Sequence, residues 1–379
     1  MNIKILFSDN LHFHERGFKS LFDFIKKYNI KHNFALKSVE EKKLLSTYGD
    51  YKKEKHRFLE SYFKLDKLTQ DELFDMSHKS INIFQISKAE ILSYVMSLEN
   101  WFSIKVPSDN KFIFEKLFIE NKEILLLNLA VGLYWIEFWS NYIKTNERYT
   151  HVCVFSGSLI YKKALIEISK NTAMEVMVFE HFFTGNDYYC ECKYEHIANN
   201  SDLKFSNNYN KKLDLTFLDN YTYNKEKTKA INKILNTKNK NVVQPDYLNE
   251  TIFDNNKKTI LIIGQVINDF SILETKLENI CTLDFYKELI EKTLKNTDCN
   301  IIFKSHPWER MKANLSSSLT YNELMQYIVE NNWKDRIKLV EDYNLNSLFK
   351  QSDLITLLCS QSGIEAAFEG KKVVQFGDA

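Results

Sequence analysis

The small polar stretch "CSQSG" at residues 359–363 has the residue types and the position to bind a phosphate. An apolar run precedes it and a helix-forming run, "GIEAAFEG", overlaps its end, so hydroxyls and free backbone amides gather at a predicted helix N-terminus. The helix dipole favours an anion there by about 0.3 to 1 kcal/mol. The alternative is an ordinary serine N-cap with an acidic residue completing a capping box, and this stretch alone leaves both open. The residues concerned are Ser360, Gln361, Ser362, Gly363 and Glu365.

A second group with phosphate-binding chemistry is the stretch "FKSHP". Lys304 and His306 follow an apolar run, and Pro307 ends the predicted strand because it cannot donate a ladder hydrogen bond. A lysine and a histidine beside a helix N-terminus would suit a diphosphate or a phosphodiester. A His-Pro pair by itself is weak evidence, and a strand-terminating turn is the alternative.

These residues must be positioned by the elements around them, and from residue 258 the chain alternates short apolar strands with helices. The strands are "KTILIIGQ", "CNIIFKSHP", "RIKLV", "DLITLL" and "KKVVQF", and helices are predicted at 281–296, 320–333, 345–351 and 362–369. This pattern predicts a parallel sheet wound on both faces, a Rossmann-like domain, although no GxGxxG fingerprint follows any strand. Ligands bind at the carboxyl ends of such strands, so the polar stretches there, which include "GQVINDFS" at 264–271, form the predicted site.

The first half of the sequence has a different order of predicted strands and helices. A strand at residues 3–7 is followed by long helical patterns from about 15 to 145, and then by one βαβ unit with strands at 151–157 and 175–180. Residues 196–257 are rich in Asn and Lys and predict surface loop and interdomain linker. We therefore expect an N-terminal domain over 1–240, with a helical insertion, and a C-terminal domain over 255–379.

Composition excludes some classes of protein. A chain of 379 residues with 44% hydrophobic content can bury a large core, and a formal charge of +1 gives no bulk field for nucleic acid or an anionic membrane. Scattered cysteines favour a reduced, cytoplasmic protein. Cys190 and Cys192 near His181 and His196 do not have the usual zinc spacing, so no metal is expected. The apolar run at 124–139 contains Asn128 and Glu137 and predicts a buried helix, not a membrane span.

Taken in order, "FSG" with "YKKALIEISK", "VMVFEHFF", "GQVINDFS", "FKSHP" and "CSQSGIEAAFEGKKVVQFG" resemble the capsule polysaccharide biosynthesis family over roughly residues 150–379. Its best-understood members are bacterial β-Kdo glycosyltransferases of capsule and lipopolysaccharide assembly. The resemblance implies two Rossmann-like α/β domains facing a cleft, in a GT-B-like fold. It also implies a CMP-activated Kdo, or a related ulosonic acid, as donor substrate and a glycan or glycolipid as acceptor, with no other cofactor.

The same resemblance assigns roles to individual residues. Lys304 and His306, together with the Ser-rich turn at 360–363, would hold the CMP phosphate. Gln265 and Asp269 match the family's Gln-x-x-x-Asp element, in which the aspartate is the nucleophile of a retaining double displacement. Glu180 would be the acid/base group, because an oxocarbenium-like centre needs one carboxylate to trap it and another to take the acceptor proton.

The histidines near these carboxylates have weaker assignments. His181 is a less favoured acid/base candidate beside Glu180. His12 and His14 follow the first strand and could line the acceptor side, but a surface loop is the favoured interpretation.

Two departures accompany the resemblance. The stretch "HFFTGNDYYC" replaces a basic or proline-containing stretch after the glutamate, which predicts different acceptor recognition. The chain stops just after "VVQFG", where we expect a GT-B enzyme to continue, so a truncated C-terminal domain is predicted. The competing functions are a sugar-nucleotide epimerase of similar fold and a non-catalytic sugar- or nucleotide-binding subunit. Peripheral contact with the inner membrane or with capsule assembly proteins is also open.

Overall fold

The structure is a computed structural model that describes residues 3–146, 148–185, 187–205, 207, 219–236, 245–248, 250–280, 283–309 and 318–378. The chain forms two compact units. Unit 1 is made of Met1–Leu98, Val106–Phe182 and Asn186–Ser201, and unit 2 of Glu99–Lys105, Phe183–Gly185 and Asp202–Ala379. Each unit is built around its own five-stranded sheet.

The sheet of unit 1 contains strands β1 (Lys4–Asp9), β2 (Lys31–Leu36), β3 (His151–Phe155), β4 (Glu175–His181) and β5 (Tyr188–Cys192). Their order is β2-β1-β3-β4-β5, and all pairs are parallel except β4 with β5. Interior strand β1 is buried along nearly all its length, as expected for a strand covered on both faces. The predicted βαβ unit is confirmed by β3, the helix Ile160–Ser169 and β4.

Aromatic side chains fill the core on one face of this sheet. Phe7, Phe13, Phe18 and Phe179 are each at most 1% exposed and pack together with Cys153. The helix Glu15–Lys27 covers this face because its buried positions, Gly17, Phe18, Leu21 and Ile25, recur at helical spacing. The core thereby fixes the ends of β1, β3 and β4, where polar residues follow.

The helical region of unit 1 lies between β2 and β3. Its helices are Val39–Leu45, Leu59–Leu65, Gln70–Phe74, Ile83–Val95, Asn110–Glu120 and Lys122–Thr145, with a 3₁₀ helix at Lys52–Arg57 and a short hairpin of Ser77–His78 with Ile81–Asn82. Two of these helices begin with capping boxes, Ser38 with Glu41 and Thr69 with Glu72.

The helix Lys122–Thr145 is long and apolar enough to cross a membrane by length and composition, and among the described residues it is the one such helix. Of its most apolar 18-residue window, 72% is buried inside the fold. Trp135 and Trp139 are at most 1% exposed, and the Trp139 indole donates to the Tyr161 carbonyl at 2.7 Å. These contacts are those of a core helix that braces the sheet, as the sequence predicted.

The sheet of unit 2 contains β6 (Thr259–Ile263), β7 (Asn300–Lys304), β8 (Ile337–Val340), β9 (Leu354–Leu357) and β10 (Lys372–Gln375). The order is β8-β7-β6-β9-β10 and every pair is parallel. From β6 the chain first builds β7 and β8 on one side, and it later adds β9 and β10 on the other side. The topological switch point therefore lies between β6 and β9. The predicted parallel, Rossmann-like sheet is confirmed.

The helices of unit 2 connect these strands. They are Phe270–Leu273, Leu283–Asn296, Leu319–Glu330, Leu345–Lys350 and Ser362–Phe368, with Asn220–Asn236 ahead of the sheet and Glu99–Phe102 from the earlier chain segment. A 3₁₀ turn, Asp202–Lys204, precedes them, and two-residue strands occur at Val106–Pro107 in unit 1 and Asn279–Ile280 in unit 2. Buried aliphatic residues of β6, β7 and β9 form the core together with Leu348, Phe349 and Ala366.

Three elements differ from the sequence predictions. The segment 196–257 was expected to be loop and linker, yet it contains the helix Asn220–Asn236, whose start is capped by Asp219 accepting from the Thr222 amide at 2.7 Å. This helix is exposed along nearly its whole length, so it lacks the apolar periodicity that predicts helices. Strands β2 and β5 were also missed, because β2 is largely exposed at a sheet edge and β5 is a short antiparallel addition.

Candidate functional site

Two sheet edges hold the predicted site residues, one in each unit. The unit 1 edge is formed by residues 9–14, 155–162 and 180–181, which lie at or just after the carboxyl ends of β1, β3 and β4. The unit 2 edge is formed by residues 264–271, 304–309 and 358–365, which follow β6, β7 and β9.

Asp9 is the central acid of the unit 1 edge. It is fully buried, and its Oδ1 accepts from the His12 ring Nδ1 at 2.9 Å and from the Leu11 and His12 amides. Its Oδ2 accepts from the Ser8 hydroxyl at 2.8 Å and the Tyr161 hydroxyl at 2.9 Å. Burial alone would raise the pKa of Asp9, but the His12 hydrogen bond and nearby positive charge outweigh it and hold that pKa well below its ordinary value. Asp9 is therefore an ionised, fully bonded carboxylate inside the fold.

His12 is oriented by this carboxylate. Its ring stacks on Phe155 with centroids 5.2 Å apart, and its side chain is 16% exposed. Burial and the charge of Lys162 lower the pKa of His12, so a neutral ring that donates from Nδ1 to Asp9 is the form that fits. His12 lies in the loop after β1, as expected, but Asp9 and Phe155 draw its ring inward. His14 is exposed and caps the helix Glu15–Lys27, accepting from the Gly17 amide.

Lys162 is a member of this edge that sequence reasoning did not single out. It is 1% exposed, and its ammonium lies 5.1 Å from the Phe155 ring centroid and 5.3 Å from that of Tyr161. Burial lowers its pKa to about 8, although Asp9, Glu180 and Glu90 favour the charged form. A signal was present in "LIYKKALIEIS", since Lys162 falls on the apolar face of a helix whose residues 164–166 are buried.

Glu180 lies at the end of β4, as predicted, and is partly exposed. Its Oε1 accepts from the His181 amide at 3.0 Å, and it pairs across the sheet with Tyr189 of β5. The His181 ring packs on Phe18 and Phe155, and burial lowers the pKa of His181 to about 4. His181 is therefore neutral at neutral pH, and its ring is enclosed by the aromatic core.

Glu90 connects the helical region to this edge. It is 2% exposed; its Oε1 accepts from the Tyr51 hydroxyl at 2.6 Å and the Gly49 amide, and its Oε2 from the Ile160 amide at 2.7 Å. The last bond satisfies a free N–H at the start of the helix that carries Lys162. Burial raises the pKa of Glu90 despite these donors. The helical region thus holds the N-terminus of this helix in place.

At the unit 2 edge, Gln265 joins the ends of two strands. Its Oε1 accepts from the Cys359 amide at 3.0 Å, and its Nε2 donates to the Ser271 hydroxyl at 2.8 Å. Ser271 in turn donates to Asp269 Oδ1 at 2.8 Å. This chain of bonds brings the predicted Gln-x-x-x-Asp element next to the start of the "CSQSG" turn, at the topological switch point.

Asp269 is the N-cap of the short helix Phe270–Leu273. Both bonds that define this cap go to Oδ1, from the Ser271 amide at 2.9 Å and the Ser271 hydroxyl. Within the described residues Oδ2 makes no hydrogen bond. The cap therefore orients the carboxylate while leaving one oxygen available to a ligand.

The "CSQSG" turn is held by its own hydroxyls. The Ser360 and Ser362 hydroxyls lie 2.6 Å apart, and the Ser362 amide donates to Ser360 Oγ at 3.3 Å. Gln361 is the N-cap residue of Ser362–Phe368 but makes no side-chain cap bond, so the predicted serine cap is replaced by this Ser–Ser pair. A Cβ at Gly363 would lie 2.7 Å from Leu357 Cδ2, which explains the glycine by close packing on β9. Glu365 lies in the first helical turn and is partly exposed.

Lys304 and His306 are positioned largely by backbone groups. Lys304 is 6% exposed, and its ammonium donates to the carbonyls of Ser305 and Glu341. His306 Nδ1 accepts from the Trp308 amide at 3.2 Å, a bond that shapes the turn after β7. The structure thus places both residues at the carboxyl edge, as predicted, with part of their bonding capacity already used by the fold.

The "CEC" pair lies on β5. Cys190 packs against the aromatic core of unit 1, whereas Cys192, two residues further on the same face of the strand, is exposed at the end of β5. Among the described residues no group of three His, Cys, Asp or Glu side chains is arranged to hold a metal ion.

The chain was compared with known proteins. Two similar solved structures are from Thermosulfurimonas dismutans KpsC. The β-Kdo 2,4 transferase is 18% identical over 60% of this chain and 69% of that chain, with a TM-score of 0.44. The β-Kdo 2,7 transferase is 16% identical over 64% and 69%, with a TM-score of 0.38. A comparison with curated proteins gives no match.

A family described as "Capsule polysaccharide biosynthesis protein" matches residues 185–379, which is half of the chain and includes the whole unit 2 edge. The Gln265–Ser271–Asp269 chain, the "FKSHP" turn and the "CSQSG" turn all lie within the matched residues. The chain belongs to the capsule polysaccharide biosynthesis protein family.

Proposed function

We propose that this protein is a glycosyltransferase of bacterial capsule or lipopolysaccharide synthesis. It transfers Kdo, or a related ulosonic acid, from a CMP-activated donor to a glycan or glycolipid acceptor with retention of configuration. The two units would then act as the two domains of a GT-B-like enzyme. Because CMP-activated sugars are made in the cytoplasm, we propose the cytoplasm, or the inner face of its membrane, as the place of reaction.

The observation that carries this proposal is the hydrogen-bond chain of the unit 2 edge. Gln265 holds the end of β9 through the Cys359 amide and holds Asp269 through Ser271. A carboxylate with one oxygen fixed and the other available is thereby set beside a turn rich in hydroxyls. This is the pairing that a sugar-phosphate donor requires, with an anion-binding turn for the phosphate and a nucleophile for the sugar carbon.

We assign the donor phosphate to the turns after β7 and β9. Ser360 and Ser362 provide hydroxyls, and Lys304 and His306 provide a cation and a ring nitrogen. A charge-assisted hydrogen bond to a phosphate contributes about 1.5 to 3 kcal/mol. Gln361, Gly363 and Glu365 complete the turn, with Gly363 permitting its close approach to β9.

The proposed reaction has two displacements. In the first, Asp269 Oδ2 forms a bond to the anomeric carbon as the bond from that carbon to the phosphate oxygen breaks, and CMP leaves with the electron pair. In the second, the acceptor hydroxyl attacks the same carbon, the bond to Asp269 breaks, and the hydroxyl proton passes to Glu180. Two inversions at one carbon return the original configuration.

The test is incubation of the purified chain with CMP-Kdo in the absence of acceptor. We expect slow release of CMP and, by intact-protein mass spectrometry, an adduct of one sugar that is absent in Asp269→Asn. Asp335→Ala, which changes an exposed aspartate far along the sequence, is the matched control. CMP-activated N-acetylneuraminate, a nine-carbon ulosonic acid, tests the choice of sugar.

Other outcomes identify the competing functions. Interconversion of a UDP-sugar, with no CMP release, would assign the chain to the epimerases. Tight CMP binding with no turnover in the presence of acceptor glycans would assign it to non-catalytic binding subunits.

A further inference from the structure

The unit 1 edge contains a charge that the proposed function does not yet use. Lys162 is 1% exposed, and within the described residues its ammonium makes no direct hydrogen bond. Asp9, Glu180 and Glu90 act on it electrostatically, and its ring neighbours are Phe155 and Tyr161. Burying an ammonium group without a hydrogen-bonded partner costs folding free energy. A residue kept in the fold at such a cost is a candidate for a functional role.

The three carboxylates around Lys162 are not equivalent. Both oxygens of Asp9 accept hydrogen bonds from other groups, and so do both oxygens of Glu90. Asp9 and Glu90 are also fully buried, at 0% and 2% exposure. Glu180 is the member that is partly exposed at the strand end. The charge of Lys162 can therefore influence chemistry at the surface of the unit 1 edge through Glu180.

The fold places Lys162 and Glu180 on neighbouring elements. Lys162 lies over Phe155, the last residue of β3, and Phe155 pairs in register with Phe179, which directly precedes Glu180 on β4. His12 stacks on the same Phe155 ring. The ammonium, the carboxylate and the imidazole are thus grouped around the ends of two adjacent strands.

We propose that Lys162 is a buried positioning cation that holds Glu180 as a carboxylate and His12 as a neutral imidazole, so that the unit 1 edge is ready to accept a proton from the acceptor hydroxyl. This inference rests on the proposed function for its chemical purpose, but its electrostatic content can be measured without any substrate. The expected direction of each effect follows from the charge of Lys162, because a cation stabilises a neighbouring anion and destabilises a second cation.

The other titratable groups near these three residues come from every element packed against them. They are Asp9 at the end of β1, His14 in the following loop, Glu90 of the helical region, Tyr161 beside Lys162, His181 after Glu180, and Tyr189 of β5. Burial raises the pKa values of both tyrosines, so they are neutral across the range of interest. The pKa of Asp9 is lowered from its ordinary value, so Asp9 stays negatively charged at every pH above the strongly acidic range. Lys162 is consequently the charge whose removal should matter most.

The first experiment follows His12 by nuclear magnetic resonance in protein labelled with ¹³Cε1-histidine. The His12 signal is assigned by its loss in His12→Asn. We expect the midpoint of His12 titration in Lys162→Met to lie higher than in the wild type by at least about one pH unit. Lys163→Met is the matched control, since it removes a partly exposed lysine from the same helix, and it should leave the midpoint unchanged.

A measurement on the wild type covers the case in which Lys162→Met does not fold. Because the pKa of Lys162 is lowered to about 8, loss of its proton should produce a second inflection of the His12 signal near that pH. Absence of any second inflection of the His12 signal on the alkaline side of neutrality, or an equal His12 midpoint in a folded Lys162→Met protein, would overturn the proposal.

The second experiment measures donor turnover against pH. The acidic limb of the profile reports ionisation of the proton acceptor, so we expect it to move to higher pH by about one to three units in Lys162→Met. Lys162→Arg, which keeps the charge, should restore the limb in part. A limb that stays in place while the His12 midpoint moves would overturn the link to Glu180. If the wild type shows no turnover with any donor, the proposed function fails, and the His12 titration still decides the electrostatic role of Lys162.

Discussion

The two sheet edges of this protein use polar side chains in opposite ways. At the unit 1 edge, ionisable side chains are buried and bond to one another: Asp9 binds His12 and Tyr161, and Lys162 lies among three carboxylates. At the unit 2 edge, the polar side chains bond backbone groups and neutral side chains of the turns. Lys304 donates to carbonyls, and Asp269 and His306 accept from amides.

This difference has a physical meaning. Buried charges that contact one another shift each other's pKa values, so the unit 1 edge is suited to controlling where a proton resides. Side chains that bond turns instead fix loop shape and leave selected atoms for a ligand, so the unit 2 edge is suited to binding. The comparison predicts that mutations in unit 1 change pH dependence and that mutations in unit 2 change affinity or the covalent step.

The largest expected effect is at Asp269. Asp269→Asn retains an N-cap side chain, because asparagine caps helices as well as aspartate does, but it removes the nucleophilic carboxylate. We expect transfer to fall by at least about 10³-fold while CMP affinity, measured by calorimetry, is unchanged. Near-normal turnover in this variant would exclude Asp269 as the nucleophile. A parallel loss of thermal stability and activity would instead indicate that the cap, not the chemistry, was damaged.

The next largest effect is at Glu180. Glu180→Gln should lower transfer by about 10² to 10⁴-fold, since an amide cannot accept the acceptor proton. Glu175→Gln, at the exposed opposite end of the same strand, is the control and should leave transfer intact. Kinetics with saturating donor and varied acceptor would locate the loss in kcat. Equal activity of Glu180→Gln and Glu175→Gln would assign the proton to another group of the unit 1 edge.

A smaller effect is expected at the turn after β7. Lys304→Ala and His306→Ala should each weaken CMP binding about tenfold to a hundredfold, which corresponds to loss of one charge-assisted contact of about 1.5 to 3 kcal/mol. Lys338→Ala, on neighbouring strand β8 and exposed, is the control. Unchanged CMP affinity together with a lower melting temperature in Lys304→Ala would show that its bonds to Ser305 and Glu341 are its whole role.

The smallest effect concerns acid stability. The folded-state pKa of His181 is lowered from 6.5 to about 4, so the unfolded chain binds a proton first as pH falls. The stabilisation is present above pH 6.5 and is lost as pH falls through about 4. His181→Phe keeps an aromatic ring but does not titrate, so its urea midpoint should fall less between pH 7 and pH 4.5 than that of the wild type. An equal fall in both proteins would contradict a half-buried, neutral His181.

Much of unit 2 could be predicted from its sequence because each of its strands is a short apolar run bounded by polar or turn residues, from Thr259–Ile263 to Lys372–Gln375. The β2 strand could not, since "KHNFAL" has a polar, exposed start and no clean alternation. The helix Asn220–Asn236 was missed for the converse reason: an exposed helix has no apolar face to reveal it.

The residues of the candidate site could be predicted because the ends of the strands that carry them could be predicted. Gln265, Asp269, Glu180 and the "CSQSG" turn lie at the carboxyl edges where they were expected. The side chains that surround these residues were not predictable. Asp9 and Lys162 come together only because strands β1, β3 and β4 are neighbours and because Lys162 packs on Phe155. The apolar residues around "YKKAL" indicate that a lysine of this helix is buried, but they do not indicate which carboxylates lie near it.

The single carboxylate of Glu90 limits how this protein can be re-engineered. The helical region between β2 and β3, residues 39–145, is a continuous segment that could be exchanged as a whole. Yet Glu90 of that segment, held by the Tyr51 hydroxyl and the Gly49 amide, accepts the hydrogen bond from the Ile160 amide. A chimera that replaces the segment without these three residues would leave an unsatisfied N–H at the start of the helix bearing Lys162, and would change the local charge as well. Transplanted segments should therefore carry an equivalent acid, or the graft should begin after Glu90.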